Sequence, residues 1–216
     1  MEFSKYFDHT ILNPDATSEE VKKICKEAIE YNFASVCVNG YRTKMVSEAL
    51  KGTDVMTCTV VGFPLGAMST LVKVFETKKA LEDGSDEIDM VINIGAVKDR
   101  DWETVLVDIK NIKEACGENT LKVIIETCLL TDEEKEKVCN IAMEAGADFL
   151  KTSTGFSKAG ATVEDIKLFR RVLGNKAKIK ASGGIRDFEK AKAMIDAGAD
   201  RLGTSATLEI ISYLQA

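Results

Sequence analysis

Three segments of the chain align with one another without gaps: EDGSDEIDMVI at 82–92, EAGADFLKTST at 144–154 and DAGADRLGTSA at 196–206. Each begins with an acidic residue suited to a last helical turn. Each continues through a glycine suited to a left-handed helix C-cap, then enters a short strand. A unit that closes a helix and opens a strand, repeated along one chain, builds parallel sheet. Five residues beyond each glycine stand Asp89, Lys151 and Gly203. Equivalent positions in a closed sheet share depth and face, so these three should converge on one level of it.

The pattern extends over the whole chain. Short apolar strand candidates fall at 6–12, 35–39, 55–62, 87–93, 121–126, 148–152, 176–181 and 201–204, with helical patterns such as 18–31, 71–82, 102–115, 132–144, 163–173 and 188–197 between them. Eight strands alternating with helices imply a single (β/α)8 TIM barrel domain over residues 1–216, near the lower size limit of that fold. A doubly wound open sheet is the alternative. No Pro/Gly/Ser-rich linker divides the chain, and 45% hydrophobic residues can fill one substantial core. A net charge of -6 and the lack of a basic run argue against a nucleic-acid partner. No apolar run is long enough for a membrane span, and residues 1–15 do not read as a leader. Six scattered cysteines without a CxxC suit reduced thiols, so a soluble cytoplasmic protein is expected.

Barrel active sites form at the C-terminal ends of strands. Asp89, Lys151 and Lys180 stand at three such ends. Lys178 shares a face with Lys180 one layer deeper and is expected in a buried ion pair, with Glu87 as a candidate partner. Neighbouring ammonium groups disfavour each other's charge. A lysine so perturbed can attack a carbonyl and form a Schiff base, with the second ammonium and the carboxylate moving protons. That is the chemistry of a metal-free aldolase. His9 is the only histidine and the cysteines lack ligand spacing, so a His-rich zinc site is not expected. His9 itself reads as a packed, hydrogen-bonded residue. SGGIR (182–186) and GTSAT (203–207) lead into helices after the last two strands, where exposed N–H groups and hydroxyls suit a phosphate. VVGFPLGA (60–67) fits either a pocket rim or a structural turn.

With these segments read, the chain strongly resembles the deoxyribose-phosphate aldolase family. DHTIL, GFPLGA, EIDMVINIGAV, FLKTSTGF, KASGGIR and RLGTSA occur in family order across nearly the whole sequence. The resemblance implies a (β/α)8 barrel that reversibly cleaves 2-deoxy-D-ribose 5-phosphate to acetaldehyde and D-glyceraldehyde 3-phosphate, without a cofactor. Lys151 matches the Schiff-base lysine, Lys180 the second catalytic lysine and Asp89 the proton-transfer acid. Thr154, Gly183, Gly184, Arg186, Gly203 and Ser205 fall at motif positions near the sugar phosphate. A homo-oligomer, dimer or tetramer, is expected. Two departures stand out: Ala206 follows Ser205 where some members carry a second serine, and the chain ends SYLQA where some members have a mobile tail with a terminal tyrosine. Tyr213 reads as part of the last helix. A different Schiff-base lyase or a non-catalytic phosphosugar-binding barrel are the competing readings.

Overall fold

The computed structural model describes residues 2–213. Eight strands run Phe7–Ile11 (β1), Ser35–Val38 (β2), Met56–Val61 (β3), Glu87–Val91 (β4), Thr120–Ile124 (β5), Phe149–Lys151 (β6), Lys178–Ser182 (β7) and Arg201–Thr204 (β8). All neighbours are parallel, and β8 pairs with β1, with Phe7 opposite Leu202, so the sheet closes into a barrel. The helices are Ser18–Glu30 (α1), Thr43–Leu50 (α2), Thr70–Glu82 (α3), Ile94–Lys98 (α4), Trp102–Cys116 (α5), Asp132–Glu144 (α6), Val163–Leu173 (α7), Phe188–Asp196 (α8) and Thr207–Ser212 (α9). The open-sheet alternative is thereby excluded. Tyr213 is the residue that caps α9, and its ring stacks on Phe188 at 4.6 Å; the last three residues of SYLQA lie outside the described residues.

The repeat has a physical basis. Gly84, Gly146 and Gly198 follow α3, α6 and α8 with φ of 91°, 83° and 114°, a conformation that a side chain would strain. The next residue in each case donates its N–H back into the helix: Ser85 to Ala80, Ala147 to Ala142 and Ala199 to Met194, at 2.9–3.0 Å. This is the 6→1 bond of a Schellman stop. One residue further, the carboxylates of Asp86, Asp148 and Asp200 each accept the N–H of the preceding strand, from Thr57, Leu121 and Ile179, all at 2.8 Å. A single five-residue phrase thus ends a helix, starts a strand and clamps it to its neighbour.

Alternation along the strands separates two interiors. Outward residues such as Phe7, Val36, Ile88, Met90, Leu121, Val123, Leu150, Ile179 and Leu202 join the helices' apolar stripes in one large core. Inside the barrel the apolar cluster is small, made of Leu12, Cys37, Cys58 and Val60 against Phe63. Asp8, Glu87, Asp89, Lys122, Lys151, Lys180 and Arg201 occupy the rest of the lumen, all buried. The apolar layer outside the sheet therefore supplies the folding drive, while the lumen is given to charge.

Candidate active site

Asp89 is the hub of the lumen. Its Oδ2 accepts from Lys151 Nζ and from Lys180 Nζ, both at 2.7 Å, and its Oδ1 accepts from Lys122 Nζ at 2.9 Å and from the Cys58 thiol at 3.2 Å. Lys122 also donates to Glu87 at 2.6 Å. Arg201 closes the lower tier, 2.6 Å from Asp8 and 3.4 Å from Glu87. Asp8 in turn takes the Ser35 hydroxyl at 2.7 Å and pairs with Lys180. The three residues expected to converge do so: Asp89 meets Lys151 directly, and Gly203 sits beside the Lys180 side chain that shares the same carboxylate oxygen. Gly203 completes the level as space: a Cβ there would lie 2.9 Å from Cε of Lys180.

These contacts fix the charge states. Burial alone would raise the Asp89 carboxyl, but the ammonium groups of Lys122, Lys151 and Lys180 hold it well below the usual carboxylate range. Burial is likewise outweighed at Asp8 by Arg201, Lys180 and Lys122, and that group too stays ionised. At Lys180 burial works against the ammonium, yet Asp8 and Asp89 raise its pKa above the ordinary lysine value. Four cations therefore face three carboxylates. Lys151 has one carboxylate partner, which it shares, and it is the member of the cluster that lines the open cavity.

That cavity, about 470 Å³, sits over the C-terminal ends of the strands. Lys151 meets it from below; Thr154, Gly183, Gly184, Arg186, Gly203 and Ser205 line it, so every expected substrate-site residue faces one space. Asp89 and Lys180 beneath it are fully buried. Gly183 and Gly184 take φ of 81° and 73°. Gly183 packs backbone-to-backbone on Gly160, where a Cβ would fall 2.0 Å from the Gly183 carbonyl oxygen. At the N-terminus of α8 the Asp187 carboxylate accepts the Lys190 N–H at 2.7 Å.

Several expectations need correction or addition. Lys178 is exposed and lies 5.4 Å from the ring centroid of Phe149. It begins β7 opposite Phe149, at the barrel's lower rim, so its ammonium escapes to water. Glu87 pairs with Lys122 and Arg201. Asp8, Lys122 and Arg201 were not singled out from the sequence; a charge inside an apolar strand, as in LKVII, is the signal that marks Lys122. Glu126 was also missed. Its backbone is left-handed at φ 52°, and its buried carboxylate accepts from the N–H of Thr154 at 3.3 Å and from the Thr154 hydroxyl. It thereby ties the cavity wall to β5. His9 is packed as expected, with Nδ1 3.0 Å from Thr207 and Nε2 2.8 Å from Glu27.

Two of the six cysteines, unremarkable in spacing, are brought to the site by the fold. Sγ of Cys37, Sγ of Cys58 and a carboxylate oxygen of Asp89 lie within 4.8 Å of one another, as do ligand atoms of Asp8, Cys58 and Glu87. Lysine ammonium groups already hold the carboxylates of both sets. No helix among the described residues is long and apolar enough to cross a membrane.

Residues 3–212 match the family model described as DeoC/LacD family aldolase. The chain is 59% identical over 212 residues to the deoxyribose-phosphate aldolase of Clostridium tetani, covering 98% of each chain. It is 57% identical over 215 residues to that of Thermococcus gammatolerans, covering 98% of this chain and 96% of the relative. Among solved structures, the deoxyribose phosphate aldolase of Aeropyrum pernix, described as having a unique tetrameric structure, superposes with a TM-score of 0.92 at 31% identity, over 99% of this chain and 91% of that one. By that match over nearly its whole length, the chain belongs to the DeoC/LacD family of aldolases.

Proposed function

We propose that this chain is a deoxyribose-phosphate aldolase in which Lys151 forms the Schiff base. The observation that carries the reading is the position of Lys151, the one cation of a buried seven-charge cluster that opens into the cavity, 2.7 Å from the Asp89 carboxylate. Lys151 reacts as the free amine. The free amine attacks the C1 aldehyde of open-chain 2-deoxyribose 5-phosphate. A carbinolamine forms and loses water, giving a protonated imine. The C3 hydroxyl then yields its proton to a base, the C2–C3 bond breaks, and its electron pair enters the imine as an enamine. D-Glyceraldehyde 3-phosphate leaves. Protonation at C2 and hydrolysis release acetaldehyde and restore the amine. Asp89 holds the Lys151 nitrogen in place and relays protons at that nitrogen. Lys180 acts as a fixed positive charge that draws Asp89 into the carboxylate form.

The phosphate lies over Gly183 and Gly184, where the bare backbone lets it come close, with Ser205 and Arg186 lining the same cavity. The protein is read as cytoplasmic, acting in deoxyribonucleotide breakdown, and as a homo-oligomer. Borohydride reduction in the presence of acetaldehyde tests the central claim. A net gain of C2H4, one N–H replaced by N-ethyl, is expected on the peptide holding Lys151. An adduct on Lys180, or none at all, refutes it, and an adduct that forms with a bulkier aldehyde but not with acetaldehyde points to another lyase.

A further inference from the structure

The chain leaving β5 grips the end of β6. The Ile125 N–H donates to the Lys151 carbonyl at 3.1 Å, and the Thr127 N–H to the Thr152 carbonyl at 2.9 Å. Between them Glu126 is left-handed at φ 52° and ψ 66°, a conformation uncommon for residues with a side chain and concentrated at functional sites. Its buried carboxylate accepts twice from Thr154, from the N–H at 3.3 Å and from the hydroxyl, while the Cys128 sulfur stands 3.9 Å from Oε1. The Thr154 hydroxyl oxygen in turn accepts the Phe156 N–H at 3.0 Å. A hydroxyl has one proton to give and two lone pairs with which to receive. Here the proton goes to Glu126 and one lone pair to Phe156, which leaves one lone pair and no donor. Thr154 lines the cavity, three residues past Lys151. Gly155 beside it packs on the loop proposed for the phosphate, where its Cβ would lie 3.8 Å from Cα of Gly183.

We propose that Glu126 is a positioning residue: it fixes the Thr154 hydroxyl as a pure hydrogen-bond acceptor, and so selects a 2-hydroxyaldehyde as the electrophile. The inference rests on the aldolase reading above and names the group that the middle of the cavity recognises. Addition of acetaldehyde to D-glyceraldehyde 3-phosphate, the reverse of cleavage, shows why. The aldehyde oxygen of that electrophile can only accept a hydrogen bond, so Thr154, with no proton to offer, does not bind it. The hydroxyl on the next carbon, which becomes the C4 hydroxyl of the sugar, can donate. It lies between the carbon that forms the new bond and the phosphate, as Thr154 lies between Lys151 and Gly183. An aldehyde without that hydroxyl leaves the last lone pair of Thr154 unmet in a site from which substrate has displaced water. Without Glu126 the Thr154 proton is free to turn toward the aldehyde oxygen, and the preference is lost. Holding the hydroxyl rotor before substrate arrives also removes an ordering cost from binding.

The test is steady-state addition of acetaldehyde to D-glyceraldehyde 3-phosphate and to 3-oxopropyl phosphate, which carries hydrogen in place of that hydroxyl. Wild type should prefer the hydroxylated aldehyde in kcat/KM by about tenfold, the strength of one hydrogen bond. Glu126→Gly removes the carboxylate yet suits the left-handed backbone, and should largely abolish the preference. Thr154→Val should do the same. Glu126→Gln keeps a carbonyl oxygen that can accept both Thr154 bonds, and should retain the preference. Glu126→Asp draws the carboxylate back by one methylene and should lose it, a result that stands even if Glu126→Gly fails to fold. A wild type that adds acetaldehyde to neither aldehyde overturns the aldolase reading and this inference with it. A wild type that uses both equally well, or a Glu126→Gly enzyme that loses both by one factor, overturns the role of Glu126 alone. Loss of the preference in Glu126→Gln would mean that Glu126 supplies charge and not hydrogen-bond direction, and would also overturn the inference.

Discussion

Substitution of Gly203 by alanine isolates the role of space in the site. The backbone at 203 is outside the left-handed region, so alanine is conformationally acceptable there. The added Cβ, however, would lie 2.9 Å from Cε of Lys180 and 3.1 Å from Cβ of Ser182. Carbon atoms rest comfortably about 3.5–4.0 Å apart, so the Lys180 side chain has to withdraw by roughly 0.6–1 Å. It is fully buried and hydrogen-bonded to Asp89 at 2.7 Å, which leaves no slack. A displacement near 1 Å in a catalytic constellation can cost about 100-fold, so kcat should fall by about 10- to 100-fold. Overpacking should cost about 1–3 kcal/mol, lowering Tm by roughly 3–10 °C. The assay compares steady-state kinetics on deoxyribose 5-phosphate and on unphosphorylated deoxyribose. If Gly203 serves Lys180, kcat falls by the same factor on both sugars. A preserved kcat with KM raised only for the phosphorylated sugar would refute this, and would assign Gly203 to the phosphate.

Other consequences follow from the same contacts. Lys122→Met removes the ammonium shared by Glu87 and Asp89 and should lower stability by about 3–5 kcal/mol in urea unfolding, more than Lys151→Met, whose carboxylate partner keeps Lys122 and Lys180. Because Asp8 and Asp89 are depressed in the folded state, the unfolded chain takes up protons at these residues first on acidification. Their stabilising effect should be intact above about pH 4 and decline steadily below it, and Asp8→Asn should flatten that acid limb. Burial pushes the thiols of Cys25, Cys116 and Cys139 up to about 11, 12 and 12. Only Cys128 is not buried, so a disulfide reagent should find one fast thiol in the native protein and the other five after denaturation. Ser205→Ala should weaken use of the phosphorylated sugar by about 10- to 150-fold, the worth of one charged hydrogen bond, while sparing deoxyribose.

The fold was legible because its repeating unit is local. A left-handed glycine, a Schellman stop and an aspartate that clamps the neighbouring strand all fall within five residues, and each leaves its own mark in the sequence. The barrel's charges were only half legible. Parallel strands are buried on both faces, so the apolar residues around Lys122 in LKVII show no alternation that would tell the lumen side from the helix side. Asp8 and Arg201 are 193 residues apart in the chain and meet only when β8 closes on β1. Glu126 escaped because nothing in its neighbours announces a left-handed backbone, and Gly160 because its close partner, Gly183, lies on another loop. Lys178 was misplaced by alternation itself, which gives the face of a residue but not its distance from the rim.

The repeat also accounts for how chemistry is laid over this scaffold. Asp86, Asp148 and Asp200 keep the same bond in all three units, while the position three residues further carries Asp89, Lys151 or Gly203. Those three differ because they answer one another across the lumen. The carboxylate at 89 stands between the amine at 151 and that of Lys180, and the glycine at 203 gives Lys180 the room to reach it. Any one of them exchanged for another would break the arrangement: a second lysine at 203 would strike Lys180, and an acid at 151 would face Asp89 as a like charge. The aspartate clamp sets the depth of each strand end, and the freedom left five residues past each glycine is where the units had to become unlike.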